Sequence, residues 1–366
     1  MNSKLYVCLL SLLITAGAIL LVPQLAAGQD PSVEDLRQLA RLTFYEGRFS
    51  EAEIYLRKSL ADFEARGERS AIVAVTRADL GWILVGQGNF REAERLMNSG
   101  LKALQKNRAE NCPHTAIIVN QLGTLYQKMG KRARAERLFK EAVKQAERCL
   151  PAYVEVALNN LAIFYAENGK LKEATALLER ALSLTVEEPG TEESLLEHAQ
   201  TLASLAAVEQ VRGRPSEAEQ LLLRAIPLLE RSVEGRYSLL SRSFLVIAWE
   251  QLGLAHFQQS KFDQAELELR RARDLNSSGI VIEPSRTVKL SYELAEVLTA
   301  KGAYDNAKIV YQHALQDSPK ETAETAMVLE HFSKLLRKMN ADRPAEEMEF
   351  RAKRIRAALT YTTPIR

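Results

Sequence analysis

The chain has 366 residues, and 46% of them are hydrophobic, which is enough to fill a continuous core. Its 49 basic and 47 acidic residues leave a formal net charge of +2, so the charge balance gives no support for a nucleic-acid or acidic-membrane partner. No low-complexity tract or long linker divides the sequence.

The N-terminus begins with a short positive segment followed by a long apolar one. Lys4 precedes an uncharged stretch of 18 residues, 5–22, which is followed by Pro23 and by small residues at 26–28. We therefore predict a secretory signal at residues 1–28, cleaved after Gly28. The stretch is also long enough to remain in the membrane as an uncleaved anchor. Because Lys4 stays inside in both cases, we expect the rest of the chain outside the cytoplasm, either periplasmic or secreted, or anchored and facing outwards.

Residues 158–182 show the unit from which most of the chain is built. A first predicted helix has an apolar face at positions i, i+3, i+4 and i+7, formed by Leu158, Leu161, Ala162 and Tyr165. Gly169 then ends this helix, because glycine accepts the left-handed conformation that closes the last carbonyl groups. A second helix follows, with an inner face of Leu171, Ala174, Leu178 and Ala181. Ala162 and Ala174 fall where two antiparallel helices would cross, since only small side chains let the backbones approach.

The same unit occurs eight times, and we number the copies repeats one to eight. Each repeat has an alanine at the crossing position of its second helix: Ala52, Ala93, Ala135, Ala174, Ala218, Ala265, Ala307 and Ala345. Successive crossing alanines are 41, 42, 39, 44, 47, 42 and 38 residues apart. Repeats of this length predict a solenoid of stacked helical hairpins, in which neighbouring hairpins bury each other.

These positions resemble the tetratricopeptide repeat family over residues 32–355. The spacing near 42 is longer than the usual 34 and is similar to the kinesin light chain subtype, for which the spelling LNNLAIFY at 158–165 is typical. The resemblance implies an all-α, right-handed α-α superhelix of about eight hairpins. Ser260 and Asn340 depart from the family pattern, because they replace the turn glycine. We assign residues 346–366 to a C-terminal capping helix and tail.

Two cysteines remain if the predicted signal, which contains Cys8, is removed. Cys112 and Cys149 lie at the two ends of repeat three, and both fall on the same edge of the predicted solenoid. In an oxidising compartment we expect them to form a disulfide that closes a long loop. The alternative is a pair of free, half-buried thiols.

Two further segments carry structural predictions. In repeat five we expect Pro227 to kink or end the second helix, and the 47-residue spacing that follows makes this repeat the expected place for a bend. The last helix carries Arg351, Lys353, Arg354 and Arg356, which we interpret as its polar cap. A basic docking tail is the alternative interpretation.

No residue pattern for catalysis is found. The five histidines are scattered, without HExxH or Cys/His metal spacing, and His256 takes the place of a packed tyrosine in repeat six. There is no GxSxG turn, Gly-rich phosphate loop or dinucleotide motif, because the glycines belong to hairpin turns and helix crossings. We therefore predict no enzymatic activity, metal or cofactor.

A ligand is expected on the face of the first helices that lines the concave side of the solenoid. In the family's peptide-binding members this face holds an extended segment, often through asparagines. The residues predicted to line it are Asp79, Trp82, Asn120, Gln121, Asn159, Asn160, Gln251 and Tyr292. Phe44 and Phe257 are expected to project there as apolar anchors. The alternative is that the asparagines bond to the next hairpin and that the aromatic rings pack between repeats.

The predicted function is that of an extracytoplasmic scaffold for protein–protein interaction through this groove. The expected partner is a protein or peptide and not a nucleic acid, and a membrane is contacted only by residues 1–28 if they are retained. One alternative is a membrane-anchored assembly factor. Another is a self-associating structural module that buries its groove or its last helix in a second copy.

Overall fold

The structure, a computed structural model, describes residues 32–45, 48–105, 112–184, 191–233, 238–277, 284–318 and 321–361. The predicted signal or anchor at residues 1–28 lies outside the described residues. The end of the predicted tail, residues 362–366, lies outside them as well.

Throughout the described residues the secondary structure is helical, with sixteen α-helices and no strand. The helices are Val33–Tyr45 (α1), Phe49–Ala65 (α2), Ala71–Gly86 (α3), Phe90–Leu104 (α4), Cys112–Lys128 (α5), Arg132–Cys149 (α6), Val154–Glu167 (α7), Leu171–Leu184 (α8), Glu192–Val211 (α9), Pro215–Ser232 (α10), Ser238–Gln258 (α11), Phe262–Ser277 (α12), Pro284–Lys301 (α13), Tyr304–Gln316 (α14), Ala323–Lys338 (α15) and Asp342–Tyr361 (α16). Each of the eight predicted repeats supplies two of them, and the all-α prediction is confirmed.

The described helices belong to two compact units. The first unit consists of residues up to 212 together with 231–240, and the second of residues 213–230 and 241 onwards. The division falls within repeat five, where the spacing of the crossing alanines is widest. Of the two outcomes expected at Pro227, an end of the helix is wrong, because α10 continues through it to Ser232, and a kink stays a prediction. Pro227 withholds one N–H from the carbonyl of Leu223, and this part of the helix is exposed, so water can bond the freed carbonyl.

Each hairpin crosses at small residues, as the repeat pattern predicts. All eight crossing alanines are completely buried. In repeat two, a Cβ atom added to Gly81 of α3 would lie 3.2 Å from the carbonyl oxygen of Ala93 in α4. In repeat six, a Cβ atom on Gly253 would lie 3.3 Å from the carbonyl oxygen of Ala265. The backbones therefore touch at these points, and a larger residue would push the two helices apart.

In repeats two to eight, the turn inside the hairpin uses one residue with positive φ. Gly130 and Gly169 have φ values of 72° and 78°, and Ser260 and Asn340 adopt the same conformation with 60° and 57°. The residue that follows Ser260 donates its N–H to the His256 carbonyl at 2.9 Å, which closes the end of α11. Ser260 and Asn340 thus perform the role of the missing glycines at the cost of a strained backbone.

Repeat three is closed by a disulfide between the first residue of α5 and the last residue of α6. Cys112 and Cys149 are bonded, with their Cα atoms 6.0 Å apart and a sequence separation of 37. A short 3₁₀ turn, Pro151–Tyr153, then leads into α7. The bond joins both ends of one hairpin, which removes conformational freedom from the unfolded chain.

The last hairpin shows how the basic residues of the final helix are used. This helix begins at Asp342, four residues before the predicted cap at 346. Arg354 and Arg351 contact Glu321 with N···O distances of 3.0 and 3.6 Å, and Arg356 binds Glu330 of α15 at 3.0 Å. These three arginines attach the last helix to its hairpin partner, which favours the capping interpretation over a basic docking tail.

Candidate protein-interaction surface

The first helices of successive repeats lie side by side in the first unit. There α5 contacts α3 and α7, and α7 in turn contacts α9. Asn120 and Asn159 occupy equivalent positions, each two residues before the buried leucine that packs inside its own hairpin. Gln121 and Asn160 follow them directly. We call these four side chains the amide row; it crosses the first helices of repeats three and four.

Three oxygen atoms of the amide row are buried without a donor. The side chains of Asn120, Gln121 and Asn159 are 3%, 1% and 3% exposed. Among the residues that the structure describes, no donor reaches Asn120 Oδ1, Gln121 Oε1 or Asn159 Oδ1. A buried acceptor without a partner costs about 1–3 kcal/mol. Such atoms are uncommon in native structures, and here three of them lie on two neighbouring first helices.

Asn120 has a second role, which holds two repeats together. Its Nδ2 donates to the Tyr153 hydroxyl at 2.9 Å, and Tyr153 belongs to the next repeat. Burial raises the pKa of Tyr153, and the charge of Glu197 on α9 raises it further. The alternative prediction, that the asparagines bond to the neighbouring hairpin, therefore holds for the amide nitrogen of Asn120. It does not hold for the amide oxygen of this residue, which no described donor reaches.

Polar side chains continue from the amide row towards α9. Glu155 of α7 lies 3.7 Å from Nδ1 of His198, and both side chains are buried. Tyr153 and His198 were not predicted as site residues. The repeat pattern gave no signal for His198, because the equivalent position in the preceding repeat is Val154.

The opposite end of this surface contains a cluster of opposite charges. Burial raises the pKa of Asp79, while Arg41, Arg37 and His114 act against the rise. Burial also lowers the pKa of His114, and the nearby Asp79 carboxylate opposes that change. Asp79 on α3 thus lies in the field of charged side chains on α1.

The aromatic residues expected in the groove mostly pack inside the protein. Trp82 is buried in the core, and Phe44 packs edge-on against Phe49 with ring centroids 5.4 Å apart. Phe257 likewise packs against Phe262 at 5.9 Å, across the turn of its own hairpin. Both rings are only partly buried, so the expectation that Phe44 and Phe257 project as anchors stays a prediction.

Two of the predicted groove residues belong to the second unit. Gln251 and Tyr292 are both buried, and the Tyr292 ring packs edge-on against His331 with centroids 5.0 Å apart. This is the packing between repeats that we gave as the alternative. Neither residue is brought together with the amide row within one unit.

His256, also in the second unit, is more than a substitute for tyrosine. Its Nδ1 lies 2.5 Å from Glu268 Oε2, and its Nε2 lies 3.2 Å from Glu219 Oε1. The imidazole is buried between these two carboxylates. It therefore bridges α11 to both α10 and α12.

Among the described residues, no group of three or more histidine, cysteine, aspartate or glutamate side chains is placed to hold a metal ion. Across the same residues, no helix combines the length and the hydropathy that a membrane span requires.

The comparisons with known proteins agree with the hairpins and their crossings. Sequence profiles of the tetratricopeptide repeat match residues 34–106, 115–148, 153–231 and 250–322, which together are about seven-tenths of the chain. The chain belongs to the tetratricopeptide repeat family. As a member of this family it is a scaffold for protein–protein interaction.

Two curated relatives are similar over most of the chain. Kinesin light chain-related protein 2 of Arabidopsis thaliana is 24% identical over 267 residues, which are 72% of this chain and 39% of that protein. Human mitochondrial tetratricopeptide repeat protein 19 is 24% identical over 272 residues, 68% of each chain. The chain thus spans about two-fifths of the length of its plant relative.

A solved structure with the same fold is the apo form of the quorum sensor NprR from B. thuringiensis. It is 11% identical, with a TM-score of 0.62, and the match covers 88% of this chain and 87% of that one. This likeness concerns the fold alone.

Proposed function

We propose that the chain binds an extended segment of a protein partner on the first helices of its first unit, across the amide row. The observation that supports this is the group of three buried acceptors, Asn120 Oδ1, Gln121 Oε1 and Asn159 Oδ1. An extended segment carries backbone N–H groups at regular intervals, and these can donate to the amide oxygens when the side chains turn towards the surface on binding. Asn160 is only partly buried beside them, so its amide is accessible to the same segment.

We further propose that this binding takes place outside the cytoplasm. Lys4 and the apolar stretch 5–22 support export, since together they have the pattern of a secretory signal. The Cys112–Cys149 disulfide also supports it, because disulfides persist mainly in oxidising compartments. Recovery of the protein from the cytosolic fraction would contradict this part of the proposal.

The binding experiment begins with chemical crosslinking of the native protein in its host envelope, which identifies the partner. The dissociation constant of the purified partner is then measured for the parent chain and for Asn159→Leu and Asn160→Ala. We expect each variant to bind about tenfold more weakly, as for a lost hydrogen bond to a buried acceptor. Asn306→Leu is the matched control, because Asn306 is an exposed asparagine on α14 in the second unit. Equal affinities for the parent chain and both amide-row variants would contradict the proposal.

A membrane-anchored assembly factor is the second candidate function. The observation that favours it is the length of the apolar stretch, whose 18 residues are enough to remain in a bilayer. In this case the protein in the membrane fraction has the mass of the full chain and resists extraction at high salt. Cleavage after Gly28 removes this candidate.

A further inference from the structure

The Cys112–Cys149 disulfide lies in a repeat that carries half of the amide row. The chain has three cysteines, and Cys8 falls in the predicted signal, so repeat three is the single repeat with a cysteine at each end. Asn120 and Gln121 belong to the same repeat. The bond is thus not part of the repeat pattern, and its role has to be found in the surroundings of the two sulfur atoms.

The Cys112 sulfur lies beside a positive charge. Nη2 of Arg148 is 3.1 Å from Cys112 Sγ. No carboxylate of the described residues forms an ion pair with Arg148. A disulfide sulfur is only a weak acceptor, whereas a thiolate at the same place would be strongly attracted by the guanidinium group. The surroundings of Cys112 therefore favour its reduced, ionised form.

The Cys149 sulfur lies beside an acceptor. Its Sγ is 3.0 Å from the carbonyl oxygen of Gln145, one turn earlier in α6. In the disulfide this sulfur carries no proton, so it cannot donate to the carbonyl. After reduction the S–H group can donate to it. Each of the two sulfurs thus faces a group with which it interacts well only when the bond is open.

The two sulfurs also differ in access. Cys112 is 3% exposed, while Cys149 is only partly buried. An incoming thiolate therefore reaches Cys149 more readily, and the sulfur that leaves is Cys112, whose negative charge Arg148 stabilises. The rate of thiol–disulfide exchange depends on access to the attacked sulfur and on the stability of the leaving thiolate. Both factors favour attack on Cys149.

The disulfide is also close to the amide row in the chain. Cys112 begins α5, which contains Asn120, and three residues separate Cys149 from Tyr153. The Tyr153 hydroxyl is bonded to Asn120 Nδ2 at 2.9 Å, and Tyr153 is 1% exposed. The disulfide and this hydrogen bond therefore join the same two segments, α5 and the residues 149–153. Opening the covalent link leaves the position of Tyr153 against Asn120 less firmly held.

We propose that the Cys112–Cys149 bond is a redox switch for the amide row, opened by a protein dithiol that attacks Cys149. The thiolate of the dithiol forms a bond to Cys149 Sγ, the S–S bond of the chain breaks, and its electron pair goes to Cys112 Sγ. The second thiol of the dithiol then displaces Cys149 and closes the disulfide of the dithiol protein. The dithiol loses two electrons and two protons, of which one proton goes to Cys149 and one to the solvent.

Opening the bond is expected to weaken partner binding, because it loosens the segment that holds Asn120. This part rests on the proposed function, in which the amide row binds the partner. The attack on Cys149 does not rest on it, since it concerns the free chain. The two parts are therefore tested separately.

The direction of attack is tested on the oxidised native chain with glutathione as the thiol. The reaction is stopped with acid, and the mixed disulfide is located by peptide mass spectrometry. We expect glutathione on Cys149. Glutathione on Cys112, equal amounts on both cysteines, or no adduct in the native chain would overturn the proposal.

The role of Arg148 is tested by the rate at which dithiothreitol reduces the native chain. We expect Arg148→Gln to slow this reduction at least about fivefold, because the leaving thiolate loses its positive neighbour. Arg137→Gln is the matched control, since it removes the same charge from an exposed position on α6, about three turns before Arg148. Equal rates for the two variants would overturn the assigned direction of attack.

The link to the amide row is tested without a partner by hydrogen exchange. In the reduced chain we expect the backbone N–H of Tyr153, bonded to the Leu150 carbonyl at 2.8 Å, to exchange at least about tenfold faster. The control is the N–H of Ala93 in repeat two, which is bonded to the Asn89 carbonyl at 3.1 Å and is expected to change less than about twofold. Equal acceleration at both positions would mean that the bond stabilises the whole fold, and it would overturn the switch.

Partner affinity separates the switch from the proposed function. The dissociation constant is measured for the oxidised chain, for Cys112→Ser combined with Cys149→Ser, and for Asn159→Leu. We expect the double variant to bind about tenfold more weakly than the oxidised chain. If the double variant binds as tightly as the oxidised chain while Asn159→Leu binds more weakly, the switch is overturned and the proposed function stands. Equal affinities for all three chains would overturn both.

Discussion

Replacing Asn159 by leucine is expected to stabilise the free protein and to weaken its binding to the partner. Leucine has nearly the shape of asparagine, and it removes a buried oxygen that no donor of the described residues reaches. Because such an oxygen costs about 1–3 kcal/mol, we expect the free energy of unfolding to rise by about 1 kcal/mol. The same change removes the oxygen that would accept a hydrogen bond from the proposed partner, so we expect the dissociation constant to rise about tenfold.

Asn120→Leu is the matched comparison, because Asn120 holds the equivalent position in the preceding repeat. Its Nδ2 donates to the Tyr153 hydroxyl at 2.9 Å, so the substitution leaves a buried hydroxyl unpaired. We expect Asn120→Leu to be less stable than Asn159→Leu by about 2 kcal/mol. Urea unfolding of the oxidised chain, followed by circular dichroism, measures both variants. If the two variants change stability by the same amount, or if Asn159→Leu destabilises by more than about 1 kcal/mol, the reasoning about these oxygens is refuted.

Four further predictions concern stability. Gly100→Ala should lower the free energy of unfolding in urea by about 2–4 kcal/mol, because the added Cβ would lie 2.5 Å from the Ala74 carbonyl oxygen. Gly86→Ala is the control: its Cβ would meet nothing within 4 Å, so we expect it to raise the free energy of unfolding by about 0.5–1 kcal/mol. Equal effects of the two substitutions would contradict the close crossing at Gly100. Ser260→Gly should raise the free energy of unfolding by about 1 kcal/mol, since Ser260 has a φ of 60°. Asn340→Gly should raise it by less, because asparagine tolerates this conformation. A loss of stability in Ser260→Gly would argue against backbone strain at this turn. Burial raises the pKa of Glu219, but hydrogen bonds from Lys261, Gln259 and His256 outweigh this and lower it from 4.5 to about 2. A carboxyl group whose pKa is lowered by folding stabilises the fold at pH values above its pKa in the unfolded chain, and this effect is lost as the pH falls towards 2. Glu219→Gln should therefore destabilise the protein more at pH 6 than at pH 3. A difference in stability that does not depend on pH would refute the assignment. Reduction of the Cys112–Cys149 bond should lower the free energy of unfolding by about 2–4 kcal/mol, and two thiols titrated in the unreduced native protein would show that the bond does not form in its host.

The hairpins were predictable because their chemistry is local and repeated. A crossing such as Gly81 on Ala93 requires two small residues at fixed distances from a turn, and this requirement recurs in each repeat. The turn role of Ser260 was predictable for the same reason, from its register alone. Helix α10 was harder to predict, because a proline in a helix is tolerated where the freed carbonyl can reach water.

The candidate site was less predictable because its geometry depends on contacts between repeats. Asn120 and Asn159 look alike in sequence, yet only Asn120 bonds to Tyr153, which lies 33 residues further along the chain. Periodicity gives no information on such a partner. Trp82 shows the same limit: its position in the repeat matches the predicted groove, but the volume of its ring is accommodated in the core.

Site-specific photo-crosslinking shows most directly whether the partner lies on the first helices of the first unit. A photoreactive amino acid is placed at Asn160 on α7 and, as the matched control, at Glu179 on α8 of the same repeat. We expect the partner to be captured from position 160 and not from position 179. Capture from position 179 with none from position 160 would contradict it.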